Sequence, residues 1–175
     1  IDAVAVANGP GSYTGLRVAM ASAKGLSYAL SKPFIALGTL DIMAVAAALE
    51  TGNESNVLYC PMIDARRMEV FTALYDERMD KIVPEHALIL NENSFNDYLQ
   101  KKKIYFSGNG SEKFRGIVLS KNAAFIIGEN SMQAMSILSH KKFSANSFSN
   151  LLYAEPLYVK EFHSSPDKSG KIINY

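Results

Sequence analysis

Apolar residues recur along the chain with two different periods, and the changes of period mark its elements. Ile1–Ala7 is short, apolar and alternating, which predicts a strand over Ala3–Ala7. The next residues, Asn8-Gly-Pro-Gly-Ser-Tyr-Thr-Gly-Leu-Arg17, read as a tight glycine turn. An alanine-rich segment then predicts a helix from about Thr14 to Leu30, ended by Pro33. Phe34–Leu37 reads as a short buried strand, with Thr39 or Asp41 as the cap of a second helix over Ile42–Glu50. Polar Thr51–Asn56 is the expected boundary between two units, 1–52 and 53–175. Beyond it the period falls to two. Val57–Asp64 and Met68–Tyr75 predict a hairpin, and Ala87–Leu90 a third strand. Asn91 or Asn93 is expected to cap a helix ending in Lys101-Lys102-Lys103, where the helix dipole favours positive charge. Strand Ile104–Phe106, turn Ser107–Gly110, short helix Ser111–Gly116 and strand Ala124–Ile127 follow. A last helix, Ser131–Lys142, carries Met132, Met135 and Leu138 on one side. Strands alternating with helices place the chain in the α/β class.

The first helix has two faces that want covering. At about 100° per residue, Leu16, Met20, Ala23, Ser27 and Leu30 form one stripe. Val18, Ser22, Gly25 and Ala29 form a second, of small residues, on nearly the opposite side. Only Arg17, Lys24 and Tyr28 make a polar strip. Either the helix is sandwiched between its own sheet and a neighbouring helix, or the second stripe is a subunit interface. Arg17 sits in the first turn, where a cation is disfavoured by about 0.3–1 kcal/mol. It calls for a surface carboxylate in this chain, or for an acidic group or phosphate on a partner.

Composition narrows the chemistry. With 175 residues, 48% hydrophobic and 20% charged, the chain is a buried globular protein and not a disordered one. A net charge of +1 provides no molecule-wide field for nucleic acid or membrane. One cysteine, Cys60, excludes an intramolecular disulfide and a multi-cysteine metal site, and fits a reducing, cytoplasmic home. No apolar run approaches the ~20 residues of a membrane span, and no signal peptide is visible. Because the chain opens on Ile1 inside a strand, the natural protein is expected to continue upstream.

Candidate reactive groups are few. The turn lacks the lysine of a P-loop, and Thr14 stands where a dinucleotide fingerprint has its third glycine. It therefore reads as a strand–helix connector or as an anion loop built from Gly9, Pro10, Gly11, Ser12 and Thr14. His86, His140 and His163 have no partner at helical metal-ligand spacing and read as surface residues, while Cys60 reads as core. Asp64 with Arg66 and Arg67 reads as a hairpin turn whose arginines pair with Asp64 or Glu69, or as a side-chain phosphate site. Lys101-Lys102-Lys103 reads as a solvated helix end.

These residues carry a family resemblance. Gly9-Pro-Gly-Ser-Tyr-Thr-Gly-Leu-Arg17 with Ala23-Lys-Gly-Leu26 resembles the signature of the TsaB family, also called YeaZ. Ile63-Asp-Ala-Arg-Arg67 with Glu69-Val-Phe71 resembles its second motif, and Ser107–Gly110 and Pro156–Lys160 weaker ones. The likeness runs in order along almost the whole chain, without the family's opening strands and first helix. It implies an actin-like fold (sugar-kinase/Hsp70-like, ribonuclease H-like) of two similar halves, the first truncated. It implies a non-catalytic scaffold and dimerisation subunit in threonylcarbamoyladenosine formation on tRNA. Its implied partners are the catalytic TsaD subunit and the ATPase TsaE, with a tendency to homodimers and only indirect contact with tRNA. The implied partner-binding set is Gly15, Arg17, Val18, Ser22, Gly25 and Ala29. No cofactor is expected on this chain, since ATP and metal belong to the partner subunits. The alternative is an enzyme of glycoprotease or actin-like ATPase type with its own metal or nucleotide site.

Overall fold

The computed structural model describes residues 1–129 and 131–160. Strands β1 (Val4–Gly9) and β2 (Phe34–Gly38) pair in parallel, joined by helix α1 (Tyr13–Leu30). Helix α2 (Thr39–Glu50) leads into β3 (Val57–Asp64), β4 (Glu69–Asp76) and β5 (Lys81–Ile89). One-turn helix α3 (Asn96–Leu99), β6 (Lys103–Ser107), α4 (Ser111–Arg115), β7 (Ala123–Ile126) and α5 (Ser131–Ser144) follow. The second sheet runs β5-β4-β3-β6-β7, antiparallel across β3–β4–β5 and parallel across β3–β6–β7. One order of parts occurs twice: β1-α1-β2-α2 and β6-α4-β7-α5 are each strand, glycine turn, helix, parallel strand, helix.

Alternation explains the layering. In β3, Leu58, Cys60 and Met62 face one side, where they meet Leu99 and Phe114 beside α3 and α4. Val57 and Tyr59 face the other, against Leu40, Ala44, Ala47 and Ala48 of α2. A strand buried on both faces reads as an unbroken apolar run, and Val57–Met62 is buried throughout. The far side of α2, with Ile42 and Ala46, packs on Ile35 and Leu37 of β2 and on Ala134 of α5. On the outer face of β1–β2, Val6 and Phe34 are covered by Met20 and Ala23 of α1. Helix α2 is thus shared between both sheets, and its small residues let three layers close on it.

Several boundaries differ from the sequence reading. Helix α1 starts at Tyr13 with Ser12 as its cap, and α2 starts at Thr39 with Gly38 in the cap position. Neither Thr39 nor Asp41 caps α2; the Asp41 carboxylate instead accepts from the Tyr75 hydroxyl at 2.7 Å and pairs with Lys81 at 3.0 Å. Strand β5 extends well beyond Ala87–Leu90, because an edge strand tolerates Pro84. The helix expected between Asn91 and Lys103 shrinks to four residues. Asn91 and Asn93 are spent in turns, and Phe95 enters the left-handed region at φ +65°. The lysine run is therefore not a helix end: Lys103 opens β6 and pairs with Glu54, and Lys102 meets Glu77 at 3.5 Å. In α5 the buried residue is Ala134, and Met132 points to solvent.

Candidate functional site

The glycine turn is shaped by a segment from the other end of the chain. Gly9 has φ +117°, and a Cβ there would lie 2.6 Å from the Leu157 carbonyl oxygen. The Leu157 N–H donates to the Asn8 carbonyl at 2.6 Å. Only glycine admits both the backbone angle and the crossing chain. At the helix start, Ser12 Oγ accepts the Gly15 N–H at 3.3 Å and the Ser12 carbonyl accepts the Leu16 N–H at 2.8 Å. Gly9 and Pro10 are buried, whereas Gly11, Ser12 and Thr14 are exposed.

Arg17 meets no carboxylate among the described residues. Its Nε donates to the Tyr158 hydroxyl at 3.0 Å and its guanidinium lies 4.1 Å over the Tyr13 ring, with the two tyrosine rings 5.1 Å apart. The expected salt bridge is replaced by an aromatic clasp from the C-terminal segment. Upstream, that segment also engages β2, where the Ser149 N–H donates to the Phe34 carbonyl at 2.8 Å. Lys24 Nζ reaches the Leu152 carbonyl at 3.3 Å.

The rest of α1 divides as its two stripes imply. Leu16, Met20, Ala23 and Ser27 are buried; Leu30, expected with them, is half exposed. On the opposite side Val18 is 60% and Leu26 55% exposed, and Ser22, Gly25 and Ala29 are open to solvent. A Cβ on Gly25 would find nothing within 4 Å. No helix among the described residues covers this side. Gly15, Arg17, Val18, Ser22, Gly25 and Ala29 all stand on exposed α1 surface.

Beside the turn a cavity of about 410 Å³ opens between the two halves. Pro10 and Gly11 come from one glycine turn, Ser107 and Asn109 from the other, with Thr39 and Ser131 from the starts of α2 and α5. Its described lining carries no charged side chain. Ser107 is 1% exposed, and its hydroxyl has no partner among the described residues. The adjacent amides are occupied: Ile127, Gly128 and Glu129 N–H groups all donate to the Glu50 carboxylate, at 3.3, 2.7 and 3.3 Å. An anion nest before α5 is thus filled by the chain's own carboxylate.

The second motif is a hairpin tip between β3 and β4. Asp64 pairs with Lys113 at 2.6 Å and accepts the Arg66 N–H at 2.6 Å, while its own N–H donates to Asn109 Oδ1 at 2.9 Å. Glu69 pairs with Lys160 at 2.6 Å. The arginines therefore do not pair with Asp64 or Glu69; two lysines, both distant in sequence, take those carboxylates. The Lys113 ammonium, helped by the Arg66 amide, holds the Asp64 carboxyl below the usual carboxylate range. Arg66 and Arg67 are exposed, at φ +73° and +45°. Sequence reasoning missed the Lys113 and Glu50 carboxylate contacts and the clasp because they join residues 49 to 141 positions apart.

Other candidates are quiet. Cys60 is fully buried against Thr72, and burial pushes its thiol up to about 12, so it stays protonated. His86 lies in β5 and His140 in α5; His163 lies outside the described residues. Among the described residues no three His, Cys, Asp or Glu side chains stand close enough to hold a metal ion. No helix among them is long and apolar enough to cross a membrane.

Comparison with known proteins gives this geometry a family. A family model described as TsaD, tRNA N6-adenosine threonylcarbamoyltransferase, matches residues 1–168. The Bacillus subtilis tRNA threonylcarbamoyladenosine biosynthesis protein TsaB is 34% identical over 93 residues, 51% of this chain and 38% of that protein. The TsaB of Buchnera aphidicola is 33% identical over 126 residues, 69% of this chain and 56% of its own length. The chain thus spans about half the length, or less, of these curated relatives. A crystal structure of a Pseudomonas aeruginosa protein, described as uncharacterized with similarity to peptidase YEAZ, superposes with a TM-score of 0.75 at 24% identity. That match covers 91% of this chain and 74% of the other, and the fold it shows is the actin-like α/β fold of YeaZ. The model match, the curated relatives and the shared fold lead to one conclusion: the chain belongs to the TsaB/YeaZ family.

Proposed function

We propose that this chain serves threonylcarbamoyladenosine formation on tRNA as a non-catalytic subunit, which holds the catalytic TsaD subunit against α1. The names of its relatives place them in that pathway. The observation that carries the scaffold role is the outer side of α1. Val18 and Leu26 are more than half exposed beside Ser22, Gly25 and Ala29, whose small side chains admit close backbone approach by a second helix. An exposed apolar face on an otherwise well-packed helix is what a stable partner covers. TsaE, a homodimer and the ATP and metal of the partner subunits belong to the same proposal.

Gly25→Trp tests it. A Cβ at Gly25 meets nothing within 4 Å, so co-elution with TsaD should be lost while stability in a denaturant titration is unchanged or raised by up to about 0.5 kcal/mol. Undiminished co-elution would assign the partner to another surface. A second reading, a nucleotide site in the cleft, is favoured by one observation, the unpartnered Ser107 hydroxyl on the cavity wall. Calorimetry with ATP and Mg²⁺ separates the two: heat that Ser107→Ala abolishes supports the cleft site, and its absence removes it.

A further inference from the structure

The hairpin tip places arginine where the backbone disfavours it. Arg66 and Arg67 follow one another at φ +73° and +45°, a region that glycine, asparagine and aspartate enter far more readily than a long side chain. The turn is held there from several directions. The Arg66 N–H donates to Asp64 Oδ1, the Ala65 N–H to the Glu69 carbonyl at 3.1 Å, and the Glu69 N–H to the Arg66 carbonyl at 3.0 Å. Just past β5 the Leu90 N–H donates to the Met68 carbonyl at 2.7 Å. Strain of this kind persists only where the surrounding structure over-determines it, and it gathers at functional sites.

The surrounding charges leave both guanidiniums free. Lys113 and Lys160 neutralise Asp64 and Glu69, the two carboxylates at the root of the turn. Neither guanidinium has a partner among the described residues, and both are exposed. Among the described residues, four cations against two carboxylates give the tip a local surplus that the net charge of the chain conceals. Two adjacent planar forks match the oxygens of a phosphate group better than a single carboxylate, and arginine offers paired donors where lysine offers a point charge.

We propose that Arg66 and Arg67 form a clamp for backbone phosphates of RNA, giving this chain a direct contact with tRNA; the choice of RNA rests on the function proposed above. In that role the side chains replace the backbone cradle that a glycine turn would supply, so the arginines repay the strain at their own positions.

The test is retention of bulk tRNA over a salt series, by the protein alone and together with TsaD, for wild type and for R66N/R67N. Asparagine accepts positive φ, so the variant should unfold at the same temperature or higher. It should bind tRNA about tenfold more weakly, with a salt slope shallower by about two. R66K/R67K should recover the slope and only part of the affinity. A wild-type slope in R66N/R67N, or no salt-dependent retention by the wild-type protein alone or in the complex, overturns the clamp. Displacement of tRNA by polyglutamate at the same anion concentration would make the tip a receptor for acidic protein and also overturn it. Co-elution with TsaD is read on the same samples. Lost tRNA with intact co-elution supports the clamp, whereas lost co-elution in wild type would sink the scaffold proposal independently.

Discussion

Two glycines separate structural need from surface opportunity. At Gly9 an alanine would have to hold φ +117° and meet the Leu157 carbonyl at 2.6 Å. Gly9→Ala should therefore cost more than about 1 kcal/mol in a denaturant titration. Gly25→Ala should stabilise by about 0.5–1 kcal/mol, because the position is mid-helix and open. A glycine that is unhelpful to its helix and touches nothing in its own chain fits a residue kept for a neighbour's approach. Asp64 makes a second residue-scale case. Its folded pKa lies below that of the unfolded chain because of Lys113, so the pairing contributes fully above the ordinary carboxylate range of about 3.9. That contribution fades as pH falls through the folded value. Lys113→Met should bring the Asp64 carboxyl back up toward its ordinary value, read by carbon-detected NMR titration. An unchanged Asp64 titration would mean that the Arg66 amide dominates.

At the scale of elements, burial on two faces governs what could be read. Strand β3 was legible end to end because Val57–Met62 is an unbroken apolar run with a polar turn on either side. Strand β5 was not, since Lys81, Glu85 and His86 on a partly exposed edge interrupt any alternation. The stretch from Asn91 to Lys103 carried cap residues and a basic end, yet the Ser94 and Asn91 side chains accepted the Asn91 and Asn93 amides locally, and the helix is a single turn. The inner stripe of α1 followed from spacing except at Leu30, whereas spacing left open whether the second stripe would be covered or exposed. The hairpin's charge pairing did not, because Lys113 and Lys160 reach it through the fold. The aromatic layer beneath the sheet has its own test. Phe106 is fully buried, with Phe95, Phe114 and Phe125 at 5.6, 4.9 and 5.4 Å between ring centroids. Phe106→Ala should cost about 3–5 kcal/mol, measured as a shift in the urea midpoint at unchanged slope.

At the scale of the whole molecule, helix α2 and the C-terminal segment touch both halves. Ala44 and Ala47 pack toward the five-stranded sheet, and Ile42 and Ala46 toward β2 and α5, all nearly or fully buried. The carboxylate of Glu50 at the end of α2 fastens the loop before α5. The Leu157 amide on Asn8 and the Lys160 ammonium on Glu69 place one short segment on both halves. Both faces of the parallel pair β1–β2 are covered: α1 and the C-terminal segment lie on one, and α2 with α5 on the other. If the sheets shared only a linker, a fault between them would split the unfolding transition and leave one half standing. Ala46→Leu places that fault at the seam, where overpacking costs about 1–3 kcal/mol. With α2 common to both cores, the variant should lower the melting temperature by about 2–4 °C per kcal/mol lost. Far-ultraviolet circular dichroism and tyrosine fluorescence should still report one coincident transition. Two separated transitions would show that the halves fold independently, and the α1 surface would then have to be treated as belonging to a unit that can open without the sheet behind it.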